Sequence, residues 1–125
     1  MNAHAMAIAA YGNPKTAQKS ARDAEYEVVA RITARLRQAH LGGVGSFPAL
    51  AEALTENRRL WTEFASDLSS NNNPLPDELK IRLLSLARFT LVQTDAILNG
   101  RGTAETLIEI NTSILRGLAG REDLS

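Results

Sequence analysis

Cysteine is absent from the 125-residue chain, which excludes disulfides, thiolate zinc sites and cysteine nucleophiles. Histidine is nearly absent: only His4 and His40 occur, neither has a companion at ligand spacing, and His40 near a helix end complements the helix dipole when protonated. Fourteen Lys plus Arg are balanced by fourteen Asp plus Glu, so no long-range field draws in a phosphate backbone or an anionic membrane. Aromatic residues make up 5%, which leaves a core built mostly of aliphatic side chains. No apolar run approaches the ~18 residues of a membrane span, and the apolar start MNAHAMAIAAY lacks the basic flank of a secretory signal. These absences lead to the expectation of a soluble, unprocessed, cytoplasmic protein, and the length is that of one domain, residues 1–125.

What is present is helical periodicity. Asn2 to Tyr11 is alanine-rich, with Met6, Ile8 and Tyr11 as its large apolar groups. It predicts a short helix that docks through Met6 and Tyr11, marginal alone because nucleation is costly; residues 1–19 are expected to be mobile. Ser20 is placed as the cap of a long helix to about Leu41, with Ala24, Val28, Ile32, Leu36 and Ala39 on one stripe widened by Tyr26 and Val29. The glycines from Gly42 to Gly45 end it.

Phe47, Leu50, Leu54, Asn57, Trp61, Phe64 and Leu68 then recur at alternating spacings of three and four, a helical seam broken only by the amide of Asn57. A polar hinge from Ser69 to Asn73 leads to Pro74-Leu75-Pro76, with Pro76 in the first turn of the next helix and Asp77 and Glu78 complementing its dipole. That helix carries Ile81, Leu83, Leu84, Leu86, Ala87, Phe89, Leu91, Val92, Ile97 and Leu98 on several sides, which predicts either a central position or a face that meets a partner. Thr103 caps a last helix with the stripe Leu107, Ile110, Ile114, Leu118, and residues 120–125 are expected to fray. The predicted fold is all-α: a small antiparallel bundle of three or four main helices plus the short N-terminal one.

No constellation points to catalysis, a metal or a cofactor. The turn from Gly42 to Ser46 lacks the lysine and preceding strand of a phosphate loop. Asn111-Thr112-Ser113 matches a glycosylation sequon inside a helix, a chance match in a chain read as unsecreted. The basic clusters Arg31, Arg35, Arg37 and Arg58, Arg59 are flanked by acids, as on a solvated helix face. Asn57 and Trp61 each admit two readings: a core amide that fixes register and a core indole, or a contact with a partner. The core reading is favoured for both.

The ordered pieces Asn57-Arg58-x-Leu60-Trp61, Asp67-Leu68, Asn73-x-Leu75-Pro76 and Ser85-Leu86-Ala87 resemble those of the flagellar biosynthesis regulator FlaF of alphaproteobacteria. Flanking pieces extend the resemblance from about Ala10 to Leu118: Ala10-Tyr11, Arg22-x-x-Glu25-Tyr26, and Leu107-Ile108-x-Ile110-Asn111-x-x-Ile114-x-x-Gly117-Leu118. Where the family often has a proline before the Arg-x-x-Glu element, this chain has Ala21. Arg22, Glu25, Asn57, Arg58, Leu60, Trp61, Asp67, Leu75, Pro76, Ser85 and Asn111 are the family-motif positions, expected to be structural.

The resemblance implies a non-enzymatic cytoplasmic factor, without cofactor, that acts on flagellin synthesis or export alongside the translational regulator FlbT. A helix-in-groove mode would suit flagellin's terminal segments, which fold into helices on assembly, and the surplus apolar surface points to Met6, Tyr11, Ile81, Leu84, Arg88, Leu91 and Leu98 as the partner surface. Two alternatives accompany it: a regulator that touches flagellin messenger RNA through Arg31, Arg35, Arg58 and Arg59, and an oligomerisation module that pairs the Phe47 to Leu68 seam between copies.

Overall fold

The computed structural model describes the backbone over residues 14–42 and 47–124, and side-chain surroundings over 23–42 and 47–119. Within those limits the chain forms four α-helices and no strand: α1 (Pro14–Leu41), α2 (Phe47–Leu68), α3 (Asp77–Leu98) and α4 (Glu105–Leu124). The readings placed on Met6, Tyr11 and the rest of Asn2 to Tyr11 lie outside the described residues, as do those on Gly43 to Ser46.

Short connections make successive helices antiparallel. α1 packs along both α2 and α4, α2 packs along α3, and α3 touches α4 only lightly. The backbones of α2 and α4 never approach closely; they lie across the core and meet only through side chains. At the end where α1 finishes and α2 begins, Leu36, Ala53, Leu54, Ile97 and Leu107 form a cluster drawn from all four helices, with Leu50, Leu98 and Ile108 packed against it.

The first helix starts at Pro14, ahead of the Ser20 cap predicted from the sequence. A proline in a first turn loses no needed hydrogen bond, so the helical backbone extends into the stretch expected to be mobile. The buried stripe of α1 is Val29, Ile32, Thr33, Leu36 and Ala39, whereas Tyr26 and Ala24, predicted to lie on it, are exposed. Counting back from the Arg35–Glu56 pair, the last residue of α2 lies level with the Asp23 region, so α2 still runs alongside Tyr26 and Ala24, and their exposure follows from their place off the centre of the buried stripe. The last helix runs to Leu124.

The hinge between α2 and α3 is made by residues that bond their own backbone, as read from the sequence. The Asn73 carboxamide oxygen accepts the Leu75 N–H at 3.0 Å, and the Ser70 hydroxyl accepts the Asn72 N–H at 3.2 Å. Pro76 stands just before the helix, not inside its first turn, and its carbonyl accepts the Lys80 N–H. At the other end of α3 the Arg101 N–H reaches back to the Ala96 carbonyl at 2.8 Å, with Gly100 at φ 82° and Gly102 at φ 81° turning the chain. The Thr103 hydroxyl then accepts the Glu105 N–H at 3.4 Å, a long version of the predicted cap.

Glycine is required at Gly100 and Gly102 because side chains rarely adopt that backbone conformation. At Gly102 an added Cβ would also lie 2.8 Å from the end of the Gln93 side chain, which can move aside. Gly117, within α4, has nothing within 4 Å of an added Cβ. Gly100→Ala and Gly102→Ala are expected to lower unfolding free energy by about 1–2 kcal/mol each, whereas Gly117→Ala raises it by about 0.5–1 kcal/mol. Urea denaturation of the three variants checks both signs.

Candidate partner-binding surface

The amide that interrupts the α2 seam is entirely buried, and so is Trp61 one turn further on. The Trp61 indole N–H donates to the Asn111 side-chain oxygen at 2.9 Å, and the Asn111 Nδ2 donates to the Asn57 side-chain oxygen at 2.8 Å. Indole can only donate, which fixes the orientation of both amides in turn. The Asn57 Nδ2 is thereby turned away and has no hydrogen-bond partner; the buried Thr90 hydroxyl has none either. Trp61 also meets Phe64 edge-to-face, centroids 5.5 Å apart. These residues belong to the core. Leu54, Asn57, Trp61 and Leu68 of the predicted seam are buried within one chain, whereas Phe47 at its start is exposed. Asn111, in the chance sequon, is buried and bonded through both ends of its amide.

The third helix is not central, contrary to the first of the two expectations for it. It buries Ala87, Thr90, Thr94 and Ile97, a small and partly polar face that lies against α2. Four of its large apolar residues are exposed: Ile81 is 65% exposed, Val92 62%, Phe89 44% and Leu86 37%. Ile81, Ser85, Phe89 and Val92 follow one another at spacings of four, four and three, so they share one outward face. Arg88 is exposed and lies seven residues from Ile81 and four from Val92, in line with both.

The residues proposed from sequence for a partner surface therefore fall into three groups. Ile81 and Arg88 lie on the outward face of α3. Leu84, Leu91 and Leu98 form a half-buried line along its flank, with Leu98 packed against the core cluster. Met6 and Tyr11 are outside the described residues. Sequence reasoning did not single out Phe89 and Val92 for this surface. Their spacing from Ile81 was visible, but a helix apolar on several sides gives no sign of which side is covered.

Some of the remaining motif positions are paired. Arg58 forms an ion pair with Asp95 between α2 and α3, and Arg35 with Glu56 between α1 and α2. Arg82 pairs with Glu78 at 3.0 Å. The Asp67 carboxylate accepts from the Asn73 side chain across the hinge at 3.3 Å. Leu60 and Leu75 are half-buried, Pro76 and Ser85 exposed; the side chain of Arg22 is not among those described, and Glu25 has a partner.

Two shallow depressions lie between α1 and α2. One, of about 270 Å³, is lined by Arg35, Ala49, Glu52, Ala53 and Glu56; the other, of about 170 Å³, takes in Arg31, Arg59 and Glu63. Both mix cations with carboxylates, so neither is a basic patch of the kind that tracks a phosphate backbone. Among the described residues no group of His, Asp and Glu could hold a metal ion, and no helix is long and apolar enough to cross a membrane.

The sequence profile of the flagellar protein FlaF family matches residues 7–118. No curated protein sequence and no solved structure matches the chain.

Two asparagine substitutions of equal volume should differ in cost. Asn111→Ala strands both the Trp61 N–H and the Asn57 oxygen, whereas Asn57→Ala strands only the Asn111 Nδ2 and removes a buried Nδ2 that has no partner of its own. Asn111→Ala is expected to be the more destabilising by about 1–3 kcal/mol. Thr90→Val, which removes an unpartnered hydroxyl at nearly constant shape, is expected to be neutral or stabilising by up to about 1 kcal/mol. Thermal and urea unfolding of the three variants provides the ranking.

Proposed function

Because the chain belongs to the FlaF family of flagellar proteins, we propose that it is a non-enzymatic cytoplasmic binding protein for flagellin, a chaperone or adaptor in flagellin synthesis and export. The observation that carries this reading is the outward face of α3, where Ile81, Phe89 and Val92 are exposed on a helix held rigidly by α2. Scattered exposed apolar residues are ordinary on a protein surface, but an aligned set on one helix is how an amphipathic segment is received. Flagellin's terminal segments are helical in the filament, and an export partner must cover their apolar face before assembly. In this reading that face lies along α3, and FlbT is a second partner in the same process.

Direct action on messenger RNA finds less support. Of the four arginines it would use, Arg35 and Arg58 are engaged with carboxylates, and Arg59 stands near Glu56 and Glu63. Neutralised cations release few counterions and add little affinity for a phosphate backbone.

The test is co-elution of the purified chain with monomeric flagellin on size-exclusion chromatography, followed by titration. Val92→Ser and Ile81→Ser should each weaken binding about tenfold, the order expected when one exposed aliphatic side chain is no longer buried by a partner. Their melting temperatures should stay close to that of the parent, because both positions are largely exposed. Failure of flagellin to co-elute, or unchanged affinity in both variants, overturns the reading.

A further inference from the structure

The outward side of α3 carries five charged side chains, Asp77, Glu78, Arg82, Arg88 and Asp95, and three of them are neutralised within the chain. Glu78 and Arg82 pair with each other, and Asp95 pairs with Arg58. Arg88 has no ion pair among the described residues, and it stands in line with Ile81 and Val92, next to Phe89. Free in water, a guanidinium there loses nothing. Covered by an apolar helix it would lose part of its hydration, and an unpaired charge taken out of water weakens the contact unless the covering chain brings an anion.

We infer that Arg88 sets the specificity of this face, admitting an amphipathic helix that carries a carboxylate within its apolar stripe and rejecting one that does not. The inference rests on the reading of α3 as a docking face. Ser85, one turn before Phe89, leaves room between the bulky neighbours for a partner helix to come close to the guanidinium. Arginine suits the task because its planar fork takes a carboxylate through two parallel hydrogen bonds, and the low-polarity surround strengthens them. A second copy of this chain is the weaker occupant: it would bring the same uncompensated Arg88 to the contact, and its unpaired carboxylate, Asp77, stands in the first turn before Ile81, outside the Ile81 to Val92 stripe.

The probe is a set of three synthetic amphipathic helical peptides, identical except for Glu, Gln or Lys between leucines spaced as Ile81, Ser85, Phe89 and Val92 are. Binding of each to the full chain is read by fluorescence anisotropy at low and high salt. The Glu peptide should bind on the order of tenfold more tightly than the Gln peptide and more tightly still than the Lys peptide, with the spread shrinking as salt rises. Arg88→Glu should invert the order, and Arg88→Lys should keep it with a smaller spread. Equal binding of the three, binding of none, or an order that survives Arg88→Glu overturns the inference. If the peptides are discriminated while flagellin fails to co-elute, the flagellin reading fails and the role of Arg88 stands.

Discussion

The indole N–H of Trp61 is the constraint on which the rest of this bundle depends. A buried donor must have an acceptor, and α2 and α4 lie too far apart for their backbones to supply one. Asn111 supplies it from α4, and Asn57 answers Asn111 from α2, so the two diagonal helices are tied by a relay with one direction only. Apolar packing alone is tolerant of a helix sliding by part of a turn. A chain of three polar groups is not, because any slip strands buried donors and acceptors at about 1–3 kcal/mol each. The relay therefore fixes the register of α4 against α2 while the aliphatic cluster around Leu54 and Leu107 supplies the bulk of the cohesion.

That arrangement has a consequence for α3. The centre of the bundle is already filled by a tryptophan and two asparagines, and the residues α3 turns inward there are small or short: Ala87, Thr90 and Thr94. Small side chains let α3 lie close to α2 but leave its larger apolar residues on other sides. The polar fit is also incomplete, since the Thr90 hydroxyl and the Asn57 Nδ2 are both buried without partners. A helix selected only for stability would place valine at 90 and polar residues at 81 and 92. This one does the reverse on both faces, and conflicts of this sort between local chemistry and folding stability tend to mark functional surfaces.

Much of the fold was legible in the sequence, for identifiable reasons. The α2 seam declared itself through its three–four spacing: Leu54, Asn57, Trp61 and Leu68 are buried along with Ala53, Leu50 and Phe64 are half-buried, and Phe47 at its start is exposed. The hinge was readable because asparagine and serine bond their own backbone, and the end of α3 because glycine permits a positive φ. What escaped was whatever depends on neighbours. The start of α1 could not be placed because Pro14 and Ser20 are both acceptable near a first turn. Tyr26 was assigned to the buried stripe because periodicity gives no sign of how wide the covered stripe is. The side of α3 that faces inward was equally invisible, since leucine, isoleucine and phenylalanine occur around most of its circumference. Asn111 was quoted as part of a resemblance, and only the folded chain brings it to Trp61.

The separation between what holds the fold and what meets solvent bears on how binding should be examined. Trp61 attracts attention as the only tryptophan, and aromatic anchors are common at binding hot spots. Here its ring is buried and its N–H committed to Asn111. A loss of binding after its removal would report a damaged bundle and nothing about the partner. Arg88 and Val92 are the opposite case. Neither makes a side-chain hydrogen bond or ion pair within the described chain, and both are exposed, so their substitution leaves the relay and the aliphatic cluster untouched. Changes at those two positions alter surface chemistry alone, so the docking proposed for α3 can be tested there without disturbing the bundle.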